Sequence, residues 1–477
     1  MGEDIEHSAY TEADFARFRE RLREETALLA RWFGEGRFAH GPPVAGFELE
    51  AWLVDREHRP APVNEDFLAR LDSPLASPEL ARFNIELNGT PRPLRDHALS
   101  ALHQELAQTW EHCRRTAAEL EADVCAIGIL PTVTNDDLTL ANMSDRARYR
   151  ALNRQVRHLR RGRPLVFDIA GVEHLRVVHR DVMLESAATS FQIHLQLAPD
   201  AAVAAFNTAM VLSGPMVALT ANSPFLFGRD LWDETHIPLF EQAVATGGFR
   251  GAAFGPIRRV TFGSGYVRAS LMECFRENLE HYPVMLPERF DDPPEALRHL
   301  RLHNGTIWRW NRPLIGFDGD GAPHLRLEHR VVPAGPSLPD TIANAAFFYG
   351  ALASLAAADP PLTGAIPFGT ARDNFYQAAR LGLRAPLTWD GRRRPSAREL
   401  LREVLLPAAR DGLARLGVSP SDAREYLDII HERLETGVNG AAWQRAWVAR
   451  HGRDMAALTA AYMERQRSGE PVSRWTV

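Results

Sequence analysis

Four short stretches of the sequence carry charged or amide side chains in the alternating pattern of a β-strand. Glu48 and Glu50 lie within Gly46-Phe-Glu-Leu-Glu-Ala-Trp-Leu-Val54, and Glu86 lies within Phe83-Asn-Ile-Glu-Leu-Asn88. Successive side chains of a strand point to opposite faces, so Glu48 and Glu50 share a face with their Cα atoms about 7 Å apart. Carboxylates that share one face are costly without a cation to neutralise them. Such oxygen ligands suit Mg²⁺ or Mn²⁺, which usually bind together with the phosphates of a substrate.

The other two stretches extend this polar chemistry. Gln192 and His194 are separated by one residue on a predicted strand, as are Glu328 and Arg330. For one such stretch alone, the solvated outer face of an antiparallel sheet is the ordinary interpretation. Four of them in one chain favour a shared site for a metal and a nucleotide, although the spacing alone does not name a reaction.

The composition is typical of a globular protein. Apolar residues make up 45% and charged residues 24% of the 477 residues, and this length exceeds the usual size of one compact domain. The net charge of −6 predicts no nucleic-acid partner. Without a run of about 18 apolar residues, no membrane span is expected. The acidic start Met-Gly-Glu-Asp-Ile-Glu-His does not resemble a secretion signal.

Cysteine usage is consistent with a reducing compartment. Cys113, Cys125 and Cys274 are too few and too scattered for a disulfide framework or a zinc site. Each is expected to be a small buried hydrophobe. We therefore predict a cytoplasmic protein.

One segment has a strong local charge excess. The range 146–163 contains eight arginines. Most of them are expected to line a solvated helix face. One or two can reach into a cleft and bind a phosphate or a carboxylate, because arginine offers a rigid two-pronged donor.

The periodicity of apolar residues predicts strands mixed with helices, followed by a helical C-terminal third. Strands are predicted near 44–54, 82–88, 124–130, 187–197, 304–317 and 324–332, and helices over 11–33, 96–121, 145–160, 200–220 and from 339 onward. Strands separated by helices can form a parallel sheet, but these strands alternate polar with apolar residues, which favours an antiparallel sheet with one open face. The open face would form the floor of the site. The glycine-rich segment 247–265 is either a mobile loop near the site or a surface connection.

Several motifs resemble those of the glutamate–cysteine ligase family, in particular the group that joins the plant and proteobacterial enzymes with the smaller carboxylate–amine ligases. The motifs occur in the order seen in that family: Gly46-Phe-Glu-Leu-Glu50, Arg148-Tyr149, Met183 before Ala188-Thr-Ser-Phe-Gln-Ile-His194, Ala221-Asn-Ser-Pro-Phe225, Leu327-Glu-His-Arg330, Asp373-Asn374, Ala379-Arg-Leu-Gly-Leu383 and Gly437-Val-Asn-Gly-Ala-Ala-Trp-Gln-Arg445. The resemblance runs from about residue 44 to 449. It depends on the ordered set, since no single motif is specific.

The resemblance implies a glutamine-synthetase-like α+β fold, in which a curved antiparallel sheet flanked by helices forms a funnel that holds Mg²⁺ (or Mn²⁺) and ATP. Residues 1–40 would form an N-terminal helical extension, 41–338 the catalytic core and 339–477 a helical region packed on that core. It also implies that ATP phosphorylates the γ-carboxylate of glutamate. The amine of a second substrate, cysteine by default, would then displace phosphate and give γ-glutamylcysteine. Phosphorylation supplies the leaving group that a carboxylate lacks, and its catalysis depends mainly on positioning and charge neutralisation.

The resemblance also implies roles for individual residues. It assigns metal binding to Glu48, Glu50, Glu86 and Glu328, catalysis to Glu50 and Arg330, contact with ATP to Gln192, His194, Arg309 and Arg312, and substrate binding to Arg148, Tyr149, Asn222 and Ser223. Its partners would be small molecules: glutamate, an amine or amino acid, and ATP.

Structural alternatives stay open at several of these positions. His194 can be a satisfied core histidine, and Arg330 can be an ion-pair partner of a nearby glutamate. The Asn-Ser-Pro turn that begins at Asn222 forms for local reasons alone. The stretch that begins at Trp308 can contact adenine, or it can be a core strand with Trp308 and Trp310 buried.

The sequence also departs from the family pattern. His236 stands where an arginine in contact with substrate is expected, and the helix before Gly46 is an addition that can pack on the core or form a homodimer contact. These departures weaken the prediction that cysteine is the acceptor more than the prediction that the protein is a ligase. The runner-up hypothesis is therefore a ligase with another amino acid, an amine or a peptide as acceptor. A guanidino-type phosphotransferase and a non-catalytic relative are further alternatives, and the intact glutamates count against the last.

Overall fold

The computed structural model describes residues 5–246, 258–390 and 393–477. The strands of these ranges are β1 (Val44–Val54), β2 (Ala76–Pro78), β3 (Asn84–Asn88), β4 (Arg92–Pro93), β5 (Asp123–Cys125), β6 (Leu165–Ala170), β7 (His174–His179), β8 (Ser190–Leu197), β9 (Phe225–Leu226), β10 (Arg229–Asp230), β11 (Val260–Thr261), β12 (Trp308–Arg309), β13 (Asn311–Phe317) and β14 (Pro323–Pro333). The helices are α1 (Glu12–Glu35), α2 (Asn64–Leu71), α3 (Ala98–Ala118), α4 (Ala147–Leu159), α5 (Ala202–Thr220), α6 (His236–Ala243), α7 (Met272–His281), α8 (Arg298–Gly305), α9 (Leu338–Ala356), α10 (Leu362–Ala365), α11 (Phe368–Leu381), α12 (Ala397–Leu400), α13 (Leu406–Arg415), α14 (Pro420–Thr436), α15 (Gly440–His451) and α16 (Met455–Arg467).

The main sheet is antiparallel and curls into a half-barrel. Its strands follow the order β13-β14-β8-β1-β3-β2, with β4 and β5 paired to β1. Helices α9 to α16 make up the C-terminal third of the chain. The predicted α+β fold, with a curved antiparallel sheet and a helical C-terminal third, is confirmed. The three-part division at residues 40 and 338 stays a prediction.

Alternation along β1 separates the core from the open face of the sheet. Phe47, Leu49 and Ala51 are buried, while Glu48 and Glu50 point the other way, as the period of two requires. Behind the sheet, helix α5 contacts β14, α9 and α11. Helix α5 is apolar on all sides, which is the pattern of a helix enclosed by protein. It is long and apolar enough to cross a membrane, but 89% of that stretch is buried inside the protein, so it serves as a core helix.

The N-terminal helix α1 packs against the rest of the protein. A capping box between Thr11 and Asp14 starts the helix. On its buried side, the Glu25 carboxylate lies 2.6 Å from His299 Nδ1 and accepts a hydrogen bond from the backbone N–H of Leu300 at 2.8 Å. Both partners belong to α8. Helix α1 is therefore tied to α8, which precedes β12 and β13 in the chain. That α1 forms a homodimer contact stays a prediction.

The structure corrects several predicted elements. The stretch 304–317 was predicted as strand, but α8 continues to Gly305 and the strands begin at Trp308. The stretch 124–130 pairs with β1 only as far as Cys125. The hairpin β6–β7 and the short helices α6 and α7 were not predicted, because isolated two-stranded ribbons and helices of two to three turns leave too few periods to detect. Of the glycine-rich segment 247–265, residues 247–257 lie outside the described residues.

Candidate functional site

The open face of the main sheet forms one wall of a cavity of about 370 Å³, termed the sheet cavity. Predicted site residues that line it are Glu48, Glu50, Glu86, Arg148, Tyr149, Gln192, Arg312, Glu328 and Arg330. Glu79 and Glu185, which were not predicted, line it as well. The structure therefore brings most of the predicted site together from segments that lie far apart in the sequence.

Strand register explains why these side chains meet. Glu50 of β1 lies opposite Glu86 of β3, and Glu48 of β1 lies opposite Gln192 of β8. Strand β14 continues the sheet on the far side of β8. Directly opposed residues of an antiparallel pair project to the same face, with Cβ atoms about 5 Å apart. The alternation predicted for each separate strand thus becomes one continuous polar surface.

Three carboxylates form the tightest acidic group in this surface. Oxygen atoms of Glu50, Glu79 and Glu86 all lie within 4.8 Å of one another. We term these residues the three-glutamate cluster. Glu79 follows immediately after β2, a strand of three residues that ends in Pro78. So short a strand shows no periodicity, and only its pairing with β3 reveals where Glu79 lies.

Burial and mutual repulsion raise the pKa values of this region. Burial, followed by the neighbouring Glu86 and Glu50, holds the pKa of Glu79 well above its ordinary value. Burial and the Glu48 carboxylate raise the pKa of Glu86 to about 7. Burial and the Glu50 carboxylate raise the pKa of Glu185 to about 8. These shifts mean that ionisation of all these carboxyl groups at once is unfavourable at neutral pH.

The donor set fits a divalent metal. The Glu50 carboxylate accepts hydrogen bonds from the backbone N–H of Ser190 at 2.6 Å and from Gln192 Nε2 at 3.0 Å. Glu86 accepts one from Ser77 Oγ at 3.2 Å. These bonds orient the carboxylates while leaving oxygen lone pairs directed at each other. Hard oxygen donors in this number and spacing match Mg²⁺ or Mn²⁺, and such a cation would relieve the repulsion.

We expect the metal-free protein to lose stability as the pH rises. Glu86 and Glu185 hold protons more tightly in the folded protein than in the unfolded chain, where a glutamate has a pKa of about 4.5. Their contribution to the free energy of unfolding is therefore full below pH 4.5 or so, and it is lost as the pH rises through about 7 and 8. The melting temperature in EDTA should fall between about pH 5.5 and about pH 8.5, and it should fall less in Glu86→Gln. An equal fall in both proteins would contradict the assigned shift.

Glu328 is neutralised by two arginines. Arg312 Nη2 lies 2.9 Å from each carboxylate oxygen of Glu328, and Arg330 Nη1 donates to the same carboxylate. Burial alone would raise the pKa of Glu328, but the two guanidinium groups hold it well below its ordinary value. Glu328 lines the cavity, yet its charge partners are arginines and it stands outside the three-glutamate cluster. Its metal-binding role stays a prediction.

Arg330 lines the sheet cavity beside Gln192 and Glu328. Its Nη1 donates to Gln192 Oε1 as well as to Glu328, and its guanidinium carbon lies 5.9 Å from the centroid of the Phe240 ring. Burial opposes its charge, but Glu328 and then Glu50 raise the pKa of Arg330 above its ordinary value. A fixed positive charge therefore stands in front of the glutamates.

His194 lies on the same face of β8 as Gln192, but it is not among the residues that line the sheet cavity. Its Nε2 is 3.7 Å from a carboxylate oxygen of Glu48, and this buried nitrogen has no hydrogen-bond partner among the described residues. Burial lowers the pKa of His194 to about 4, so the imidazole is neutral near pH 7. The histidine therefore stands beside Glu48 on the polar face of the sheet, and its contact with ATP stays a prediction.

Arg148 and Tyr149 approach the three-glutamate cluster from α4. The Tyr149 hydroxyl donates to the backbone carbonyl of Pro78 at 3.0 Å, which ties α4 to the end of β2. Burial and the nearby Glu79 raise the pKa of Tyr149 well above its ordinary value. Both residues border the cavity, which is compatible with the predicted contact with substrate.

Besides His194, three predicted residues do not line the cavity. Arg309 bonds to Asn278 Oδ1 at 2.6 Å and to Glu277 Oε2 at 3.0 Å on α7, so its charge is already paired. Asn222 and Ser223 are fully buried behind the sheet. These contacts give the three residues a structural role, and contact of Arg309 with ATP and of Asn222 and Ser223 with substrate stays a prediction. The motif Ala221-Asn-Ser-Pro-Phe225 resembles the family pattern, but the order of residues in a motif does not show where the turn lies relative to the sheet.

Replacing Asn222 with alanine is expected to destabilise the protein by about 2–4 kcal/mol, because several buried groups lose their partner together. Asn222 Nδ2 donates to the Ala334 carbonyl at 2.7 Å and to the Tyr462 hydroxyl at 2.8 Å. Its Oδ1 accepts from Gln444 Nε2 at 3.0 Å. Denaturant unfolding measures the loss, with the exposed Gln104→Ala as control. Unchanged stability together with a raised KM would restore the substrate-binding role.

Comparisons with known proteins identify the fold and the family of this chain. A search of the curated proteins gave no match. A solved structure of glutamate–cysteine ligase from Francisella tularensis, in complex with AMP, aligns with a TM-score of 0.56 at 12% identity over 90% of this chain and 90% of that chain. A bifunctional glutathione synthetase from Pasteurella multocida aligns with a TM-score of 0.49 at 12% identity over 89% of this chain, which spans 52% of that protein. The first similarity shows a shared fold.

The family model extends over nearly the whole described core. Residues 44–461 match Glutamate-cysteine ligase family 2, a range that includes every strand of the main sheet and all residues of the three-glutamate cluster. The predicted resemblance is confirmed. The chain belongs to Glutamate-cysteine ligase family 2 and is an ATP-dependent carboxylate–amine ligase.

Proposed function

We propose that the protein activates the γ-carboxylate of glutamate with ATP and joins it to an amine, with cysteine as the default acceptor and γ-glutamylcysteine as the product. The observation that carries this proposal is that the three-glutamate cluster and Arg330 line one cavity, where Gln192 is hydrogen-bonded to both Glu50 and Arg330. Phosphoryl transfer between two anions needs cations that neutralise the charge of the transferring group. The cavity offers a metal site and, beside it, a fixed guanidinium.

ATP would occupy the end of the sheet cavity that is rich in apolar side chains. Leu300, Leu302, Trp308 and Ile315 line this end, together with Arg312. Apolar and aromatic surfaces accommodate a purine ring, and an arginine beside them suits its phosphates. Trp308 lines the cavity, where it can contact adenine, while Trp310 is buried in the core. The two tryptophans thus correspond to the two alternatives, contact with adenine and a core strand.

The divalent metal would be held by Glu50, Glu79 and Glu86, with Glu48 beside them. When bound, it supplies positive charge that neutralises the phosphates and screens the reacting carboxylate. The residues of the chain fix this arrangement in advance, because their carboxylates are oriented by hydrogen bonds from Ser190 and other neighbours. Preorganised charge requires little rearrangement when the reaction occurs.

Glutamate would bind between the cluster and α4. Arg148 presents a guanidinium that suits the α-carboxylate, and Tyr149 shapes the wall next to Glu79. Arg330 would contact the γ-phosphoryl group as it leaves ATP, and then the oxygens of the acyl phosphate. Attack by the acceptor amine forms the amide and releases phosphate. The amine loses a proton in this step, and the released phosphate can accept it.

The test is phosphate release from Mg-ATP by the purified protein, with glutamate present and amino acids or amines added one at a time. Release that requires both glutamate and cysteine, with a product mass equal to their sum less water, supports the proposal. Release that requires glutamate and another acceptor supports the activation of glutamate and shows that the acceptor is not cysteine. Consumption of ATP that yields ADP and a phosphorylated product, with no amide and no free phosphate, would favour a phosphotransferase. No consumption of ATP with any pair would contradict glutamate as the substrate.

A further inference from the structure

A second cavity lies beside the hairpin β6–β7. It has a volume of about 950 Å³ and shares no lining residue with the sheet cavity in the described part of the chain. Its walls come from β6, α6, β11 and α11. We term it the hairpin cavity. Its size falls within the range of small-molecule sites in proteins.

Helix α11 presents a basic face to this cavity. Arg372, Tyr376 and Arg380 follow one another at intervals of four residues and all line the wall, because side chains four apart share one face of a helix. The Arg380 guanidinium carbon lies 4.7 Å from the centroid of the Trp232 ring. Among the described residues, this guanidinium has no hydrogen-bond or ion-pair partner, so stacking alone holds it at the cavity.

The acidic residues of the wall do not neutralise these arginines. Asp168 is paired with Arg176 at 3.6 Å, and Glu277 is paired with Arg309 at 3.0 Å. Glu241 accepts hydrogen bonds at Oε1 from Trp310 Nε1 at 3.0 Å and from the Tyr376 hydroxyl at 2.7 Å. The charge of Asp168 and Glu277 is thus already balanced elsewhere.

A further arginine adds to the excess of positive charge. Arg160 lines the opposite wall, and its guanidinium is bonded to backbone carbonyls, including that of Arg163 at 3.1 Å. Carbonyl oxygens orient a guanidinium without cancelling its charge. Arg258 also lines the cavity, 3.6 Å from Glu241. The cavity therefore carries more positive than negative charge and favours an anion.

The floor of the cavity is apolar. Trp232, Pro238 and Phe262 line it, and Trp232 is held in place by a hydrogen bond from its Nε1 to the Ala170 carbonyl at 2.9 Å. Arg372 lies 3.8 Å from Asp373, and both side chains are at least half exposed, so solvent screens this pair. A rigid aromatic floor beneath Arg372 and Arg380 suits a ligand with an acidic group and an apolar body. We propose that the hairpin cavity binds a small organic anion, whose carboxylate or phosphate contacts Arg372 and Arg380 and whose body packs on Trp232.

The site is independent of the ligase reaction, so it is tested by binding. The full chain is titrated calorimetrically with 3-phenylpropionate and with its uncharged amide, which has the same shape. The acid is expected to bind at least about tenfold more tightly than the amide, because the charge-assisted hydrogen bonds are lost with the amide. Inorganic phosphate that displaces the acid assigns the site to phosphate-bearing ligands, and failure to displace it assigns the site to carboxylates.

Variants locate the binding. Arg380→Ala should weaken binding of the acid by about tenfold or more, and Arg380→Lys should retain much of it. Arg424→Ala removes an exposed arginine on α14 and should change nothing, with circular dichroism confirming the fold of each variant. Glu50→Gln alters the sheet cavity and should leave binding unchanged. Equal binding of acid and amide, no binding of either, no effect of Arg380→Ala, or loss of binding in Glu50→Gln would overturn the proposal.

Discussion

Replacing Arg330 with alanine is expected to lower the turnover of ATP by about 10³-fold while changing the affinity for ATP by less than about tenfold. Arg330 lines the sheet cavity together with the three-glutamate cluster, where charge would develop on the transferring phosphoryl group. A guanidinium in this position stabilises the transition state more than bound ATP. Turnover is measured by phosphate release, and affinity by titration with a non-hydrolysable ATP analogue.

The control for this variant must separate chemistry from structure, because Arg330 also pairs with Glu328. Arg312 still neutralises Glu328 when Arg330 is removed, so the melting temperature should change little. Arg330→Lys keeps the charge and loses the two-pronged geometry, and it should recover only part of the activity. A loss of ATP affinity as large as the loss of turnover would make Arg330 a nucleotide-binding residue.

Replacing Glu79 with glutamine is expected to have opposite effects with and without metal. With Mg²⁺, turnover should fall by about 10²-fold or more, since one of three oxygen ligands loses its charge. Without metal at about pH 8, the melting temperature should rise by roughly 1–2 °C, because a buried repulsion is removed. Phosphate release measures the turnover, and thermal unfolding without metal and with increasing Mg²⁺ or Mn²⁺ measures the melting temperature and its stabilisation by metal.

Two further variants sharpen this test. Glu185→Gln removes a carboxylate of the same cavity that stands outside the three-glutamate cluster, so it should raise the metal-free melting temperature and leave metal stabilisation nearly intact. Glu111→Gln removes an exposed carboxylate on α3 and should change neither. A greater loss of metal stabilisation in Glu185→Gln than in Glu79→Gln would show that the metal binds elsewhere in the cavity.

The sequence by itself determined the chemistry of the sheet and its fold class. Period-two alternation in β1 and β8 placed Glu48 with Glu50 and Gln192 with His194, because the geometry of an extended chain decides which side chains share a face. The same alternation distinguished an antiparallel sheet from a parallel one. Both conclusions depend on local geometry, which neighbouring residues encode.

Only the tertiary structure decided which of these residues meet. Glu79 joined the cluster through the pairing of a three-residue strand with β3, and no local pattern marks so short a strand. Arg309 was drawn to α7 by Asn278 and Glu277. Asn222 turned into the core to satisfy buried carbonyl and hydroxyl groups. Strand register and the need to satisfy buried polar groups are long-range constraints, so residues near each other in sequence do not reveal them.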